Sequence, residues 1–393
     1  MEETVPFYKP LKRLSADIRK RTVANLLNLR KQLEDELPTK KTSESLILGT
    51  WNIRNFDDNR FGYGPRLDES FYYLAEILSR FDVIAVQEIC DDLAPLNRLM
   101  DVLGGTYDYI LTDVTHKDLG GNDERLGFIY DRSKVTFRGV AGEIVLPPKM
   151  MIAGPKGEQR QFARTPFGCS FQSGWFKFMF TTVHIYFGDA SVNSAEYARR
   201  VEEIEKVAKY LSIEADTRDD NYILVGDFNI IGPGSRDFNA LVQNGFQIIQ
   251  NRLGSNDQQT KFYDQISFKS RKNELTILEP EQDNRSFQYF KSVYSAEKFG
   301  SYKSMLRRLV EEKIRQAETD LQNTTAAGKQ KELKKQIDSL KASLASDAAL
   351  EAYYTEWRTF QMSDHLPLWV ELKIDFSNEY LNYLGTYTPA NEA

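Results

Sequence analysis

The chain has 393 residues, 41% hydrophobic and 27% charged, with a formal net charge of −6. That length fits one large α/β domain with additions, and the composition excludes a disordered or fibrous chain. The negative balance excludes a general attraction to nucleic acid, although bound cations and local patches can reverse the field at a site. No apolar run is long enough to span a bilayer, and MEETVPFYKP has no charged-then-apolar export pattern, so no membrane is expected. The two cysteines, Cys90 and Cys169, make no disulfide framework. Reduced thiols and a cytoplasmic location are therefore expected.

Residues 9–41 carry ten basic side chains against four acidic ones. Leu11, Leu14 and Ile18 fall at helical spacing, and Leu26, Leu27 and Leu33 continue it less regularly. This predicts one or two helices ending near Pro38, within a basic N-terminal extension over residues 1–45. A charge run is usually a solvated face, so packing on the main domain is favoured over a phosphate-backbone contact. From Leu46 strands and helices alternate. LILGTWNI is a strand, and Leu67, Phe71, Leu74 and Leu78 trace an amphipathic helix. VIAVQEI (83–89), YDYIL (107–111), LGFIYD (126–131) and FKFMFTTVHI (176–185) are further strands. Tyr197, Val201, Ile204, Ala208 and Leu211 mark a second long helix. YILV (222–225), FYDQISF (262–268) and LPLWVEL (366–372) complete the strand set. The pattern predicts an α/β fold with a two-sheet core and outer helices.

Residues 296–360 break that rhythm. Val310, Ile314, Ala317 and Leu321 form one seam, and Leu333, Ile337, Leu340 and Leu344 another, with Ala326-Ala327-Gly328 between them. Two matched seams around a glycine predict an antiparallel helical hairpin inserted in the domain. It either packs on its own domain or protrudes to recruit a second copy or another protein. Residues 377–393 are expected to be a frayed polar tail.

The chemistry is concentrated at predicted strand ends. In ILVGDFN (223–229), Gly226 permits a sharp turn, and Asp227 and Asn229 stand two apart, so on a strand they would share a face. A carboxylate and a carboxamide so placed suit a divalent cation and a phosphate, although an Asx turn is the plainer explanation of the same residues. Asn52 ends the first strand. Glu88 interrupts an apolar run, where a buried carboxylate needs a partner such as a metal. Glu124, Asp264 and Asp364 are further acids at strand ends. His184 and His365 sit beside them, and each imidazole needs an acid to fix its tautomer.

These segments resemble the deoxyribonuclease I-like, endonuclease/exonuclease/phosphatase family. The resemblance is carried by TWNIRNF (50–56), VIAVQEI (83–89), ERLGFIYD (124–131), RTPF (164–167), TTVHIYF (181–187), ILVGDFN (223–229), YDQI (263–266) and SDHLPLWVEL (363–372), in family order. It implies a four-layer sandwich of two packed mixed β-sheets flanked by helices, over residues 46–376 with the hairpin inserted. It also implies roles. Glu88 is the main ligand of Mg²⁺ or Mn²⁺, with Asn52 beside it and Asp364 nearby. Asp227 and Asn229 orient the attacking water and the scissile phosphate. Glu124 holds His184, Asp264 holds His365, and Arg164 meets substrate phosphates. ERLGF and FARTPF are closer to the deoxyribonuclease branch than to the apurinic-site branch. Cys90 departs from the pattern, because deoxyribonuclease I has a DNA-contacting arginine there.

The expected function is thus a Mg²⁺- or Mn²⁺-dependent phosphodiester hydrolase acting on nucleic acid, DNA first, as a nicking endonuclease. A lipid-headgroup phosphodiesterase or phosphoinositide phosphatase would use the same site. The chain has no inositol phosphatase signature after GDFN, where it reads IIGPGSRDF. A non-catalytic scaffold acting through the hairpin is the third reading, and the full set of acids and histidines counts against it.

Overall fold

The computed structural model describes residues 5–115, 121–154, 157–189, 191–218, 220–270 and 274–386. The first four residues of the basic extension and the tail beyond residue 386 lie outside the described residues. Thirteen strands are formed among the described residues: β1 (Ser45–Phe56), β2 (Val83–Cys90), β3 (Tyr107–Leu111), β4 (Glu124–Asp131), β5 (Thr136–Glu143), β6 (Ile152–Ala153), β7 (Gln159–Arg160), β8 (Phe167–Ser173), β9 (Phe176–His184), β10 (Tyr222–Asp227), β11 (Gln247–Ile248), β12 (Asp264–Lys269) and β13 (Leu368–Lys373). The helices are α1 (Ala16–Glu36), α2 (Asp68–Leu78), α3 (Ala94–Leu103), α4 (Ala195–Arg218), α5 (Arg236–Val242), α6 (Phe299–Asn323), α7 (Ala327–Ser343), α8 (Asp347–Gln361) and α9 (Ser377–Thr386).

Two mixed sheets carry the fold, as expected. The first runs β13-β1-β2-β4-β3 and the second β11-β12-β10-β9-β8-β5. Each has a parallel pair near its centre, β1 with β2 and β9 with β10, and antiparallel neighbours outside it. The inner faces interdigitate through Leu46, Leu48, Val83, Ala85 and Phe128 on one side and Phe171, Phe178, Phe180, Ile223 and Ile266 on the other. Phe128 and Phe180 meet at 4.9 Å between ring centroids. The outer face of the first sheet presents Ile47, Ile53, Ile84 and Val86 to helices, and the outer face of the second presents Val183 and Leu224 to α4 and α5. A period of two along each central strand feeds both layers, so these strands read as continuous apolar runs.

The insertion differs from expectation. It contains a third helix, α8, and only α7 has the thin apolar stripe of a simple hairpin. Tyr302, Leu306 and Val310 of α6 and Leu350, Tyr354 and Trp357 of α8 share one core with Leu26, Leu29 and Leu33 of α1 and with α2. A buried network backs this packing: Glu69 of α2 accepts from Thr22 at 3.1 Å, Arg21 at 3.0 Å and Tyr302 Oη at 2.7 Å. The seams therefore face the chain's own core. The segment expected to fray also differs, since Ser377–Thr386 is helical and its Tyr380 packs on Trp175 at 5.4 Å. Strand β5 was missed because its side chains are almost all exposed and carry no alternation.

Candidate active site

Strand register assembles the site. In the second sheet, Asp227 pairs with His184 on its parallel neighbour and with Asp264 on its antiparallel one. In the first sheet, Cys90 pairs with Glu124, which brings Glu124 level with the end of β2. The parallel pairs of both sheets end here, as do the N-terminal ends of β4 and β12, so the strand ends converge on one point.

Local backbone turns aim the side chains. Glu88 has φ +62, Asn229 φ +54 and Asn55 φ +42. Left-handed conformations at non-glycine residues are costly and cluster at functional sites. The turn at Glu88 coincides with the break in register between β2 and both neighbours. Gly226 has φ +128, and a Cβ there would collide with the Val183 carbonyl oxygen, so only glycine fits. Asn229 lies beyond the end of β10, which corrects the expectation that it shares a strand face with Asp227. Its N–H donates to Asp227 Oδ1 at 2.9 Å, closing an Asx turn, and its Nδ2 donates to the Ile185 carbonyl at 2.8 Å. The plain turn and the site placement are the same structure.

Asp227 is the centre of the arrangement. Its Oδ2 accepts from Asn52 Nδ2 at 3.1 Å. The same oxygen lies 3.6 Å from His184 Nε2 and 3.7 Å from His365 Nε2. Each imidazole has an acid behind it. His365 Nδ1 is 2.7 Å from Asp264 Oδ2. His184 Nδ1 is 2.6 Å from Glu124 Oε1, which also receives Arg164 Nε; these are ion contacts without the alignment of hydrogen bonds. Burial first, and Arg164 second, push His184 down to about 4. Burial likewise pushes Glu124 up to about 7, against Arg164. For His365 burial opposes the charge, but Asp264 and Asp227 outweigh it and hold the imidazole well above its ordinary value. These directions favour a neutral His184 and a charged His365.

The donor set suits a hard divalent cation. Asn52 Nδ2 donates to Glu88 Oε1 at 2.9 Å, and Glu88 Oε2 accepts from the Asn55 N–H at 2.8 Å. Asn52 Oδ1 is buried and has no hydrogen-bond partner among the described residues. An orphaned amide oxygen beside a carboxylate fits Mg²⁺ or Mn²⁺. Among the described residues two groups have ligand atoms within 4.8 Å of one another, Glu88 with Glu124 and His184, and Asp227 with Asp264 and His365. Their imidazoles already face acids, so oxygen ligation through Glu88 and Asn52 is the better match.

Asp364 and Arg164 each have a charged neighbour that the sequence reading did not give. Asp364 belongs to neither group and has Arg54 Nε at 3.6 Å. Arg164 is only 6% exposed and turns toward Glu124, because that buried carboxylate needs a countercharge. Other residues escaped the sequence reading. Ser363 Oγ donates to the Asn52 carbonyl at 2.7 Å and accepts from the His365 N–H at 3.0 Å. Tyr289 Oη donates to the His365 carbonyl at 2.9 Å, as does Trp51 Nε1. Gln87 Nε2 reaches across the sheets to Thr182 Oγ1 at 2.8 Å. Trp51, Gln87, Thr182 and Ser363 lie inside recognisable motifs; Tyr289 carries no local signal.

A model of the Endonuclease/Exonuclease/phosphatase family matches residues 49–247. Among solved structures, the mannosyl-6-phosphatase of Bacteroides thetaiotaomicron VPI-5482 is 20% identical over 60% of this chain and 90% of its own, with a TM-score of 0.43. A humanized D. rerio TDP2 is 15% identical over 59% of this chain and 87% of its own, with a TM-score of 0.39. The human Nocturnin catalytic domain with bound sulfate is 14% identical over 59% of this chain and 85% of its own, with a TM-score of 0.41. No curated protein matches. The family match spans half the chain and covers Asn52, Glu88, Glu124, His184, Asp227 and Asn229. The chain belongs to the endonuclease/exonuclease/phosphatase family, whose members are generally hydrolytic phosphoesterases.

Proposed function

We propose that the protein is a divalent-metal-dependent phosphodiester hydrolase whose substrate is DNA, cut as a nicking endonuclease. The observation that carries the reaction class is the pair of imidazoles flanking Asp227 Oδ2 at 3.6 and 3.7 Å, each backed by its own buried acid. Glu88 and Asn52, with Asp364, would hold Mg²⁺ or Mn²⁺, and the cation would draw charge from the phosphate oxygens in the transition state. Neutral His184 with Nδ1–H toward Glu124 leaves its Nε2 lone pair toward Asp227, placed to take a proton from water. His365, charged and held by Asp264, donates from Nε2 to the phosphate or to the departing oxygen. Asp227 and Asn229 orient the water and the phosphate between them.

Supercoiled plasmid with Mg²⁺ should be nicked, and EDTA should stop it. Glu88→Ala, His184→Ala and His365→Ala should each lose activity on the order of 100-fold or more. Full nicking by the His365 variant would overturn the mechanism. A second reading, a phosphodiesterase of lipid headgroups, is favoured by the burial of Arg164 and Cys90, 6% and 5% exposed, which leaves the mouth without a free cation at those positions. Sphingomyelin and phosphoinositides run beside DNA and RNA separate the two.

A further inference from the structure

The insertion and the segment after β1 enclose a cleft that the reaction does not use. It measures about 340 Å³, within the roughly 300–1,000 Å³ of small-molecule sites. Asn59, Phe61 and Tyr63 line one side, and Lys313, Gln336 and Tyr353 line the other. Lys313 Nζ donates to Tyr353 Oη at 2.9 Å and to the Gly62 carbonyl. An ammonium has three donors, so one has no protein acceptor among the described residues. Burial alone acts on this amine and pushes it down to about 8, with no carboxylate countering it. Asp320 also lines the cleft, but Gln316 Nε2 holds it at 3.0 Å.

A row of rings joins this cleft to the active site. Arg54, beside Asp364, lies 3.7 Å over the Phe360 ring. Arg54 also pairs with Glu356 at 3.3 Å, so α8 forms the wall of the mouth here. Phe360 stacks on Tyr63 at 4.6 Å and 12°. Tyr63 meets Tyr353 at 5.3 Å, and Lys313 lies 5.4 and 5.7 Å from those two rings. Phe61, 56% exposed, packs on Phe360 at 5.8 Å. Of these rings Phe61 is exposed, Tyr63 is half-buried, and Tyr353 and Phe360 are buried. Cations beside rings that reach the surface of a groove are how proteins hold unpaired nucleic-acid strands, through phosphate attraction and base stacking.

We propose that this cleft is a subsite for one nucleotide of a single nucleic-acid strand leaving the scissile bond, its phosphate met by Lys313 and its base by Phe61 and Tyr63. The inference rests on the nucleic-acid reading of the active site. It makes the insertion a substrate-binding element.

Fluorescence anisotropy of a fluorescein-labelled oligothymidylate, with EDTA present to prevent cleavage, tests it. The full-length protein should bind more tightly as the strand lengthens. Lys313→Ala and Phe61→Ala should each weaken binding at least about fivefold, the lower end of one stacked base's contribution, and Lys313→Arg should restore it. Unchanged affinity in both alanine variants, or no strand binding by the unaltered protein, overturns the proposal. Hydrolysis of bis-p-nitrophenyl phosphate by the unaltered protein with Mg²⁺ tests the catalytic reading separately. Intact hydrolysis without strand binding sinks the cleft alone.

Discussion

His184 and His365 have the same ring but are pushed in opposite directions, and the difference lies in what stands behind each. Glu124 shares its buried oxygen with Arg164, so it offers His184 little net negative potential. Among the described residues no arginine or lysine pairs with Asp264, whose Oδ2 faces His365 Nδ1 at 2.7 Å. Asp264→Asn keeps the shape and removes that charge, so the imidazole should no longer be held charged. Turnover of bis-p-nitrophenyl phosphate should fall roughly 10- to 100-fold, as for other residues that orient a catalytic histidine, with the melting temperature little changed. An unaltered turnover would show that the charge on His365 is not used. The acids themselves were legible in the sequence, because a carboxylate that ends an apolar strand is too costly to be accidental. Asn55 and Tyr289 were not legible. Asn55 acts through its backbone N–H and Tyr289 through a distant carbonyl, and neither role has a side-chain signature.

Lys40 ties the N-terminal extension to the sheets. Lys40 Nζ lies 3.0 Å from Asp131 at the end of β4 and 3.3 Å from Asp82 before β2, and both acids are buried. Burial pushes Asp131 upward, but Lys40 and Ser133 outweigh it and hold the carboxyl below its ordinary value. A lowered carboxyl pKa contributes stability above its unfolded value, and that contribution fades as pH falls through the folded one. Lys40→Met should therefore cost about 3 kcal/mol in denaturant unfolding at neutral pH, since it strands two buried carboxylates. The loss should shrink only at a pH below the ordinary carboxyl value of about 4, where the lowered Asp131 group begins to protonate. Equal losses at both would contradict this account. Among elements, the long periodic ones were readable: α2, α4 and the seams of α6 and α7. Helix α8 was passed over because its buried face is built from Tyr353, Tyr354, Trp357 and Phe360 rather than from an aliphatic stripe. Helix α9 is polar in composition but keeps Tyr380 against Trp175.

The whole molecule divides its site between two sheets. Asn52, Glu88 and Glu124 come from the first, and His184, Asp227 and Asp264 from the second. A cation held at Glu88 and Asn52 binds the folded state and not the unfolded chain, so it should stabilise the protein by mass action. At a concentration about a hundredfold above its dissociation constant, Mg²⁺ should add roughly 2.7 kcal/mol and raise the melting temperature by a few degrees. Thermal melts with Mg²⁺ and with EDTA would measure this, and Glu88→Ala should abolish the rise. A rise that persists in that variant would place the ion elsewhere. The two-sheet architecture was legible because the motifs fall at successive strand ends. The merging of the insertion with α1 and α2 was not, because a seam spacing says that a face is apolar and not what it meets.

The position of β13 has a kinetic consequence. It covers the outer edge of β1 and delivers His365 to Asp264, 101 residues upstream. Until the ribosome has made residues 363–373, β1 offers an unpaired strand edge and one histidine–acid pair is missing. A nascent chain halted in the insertion should thus be inert and prone to edge-to-edge association, and hydrolysis should begin only after the slow closure of these distant contacts.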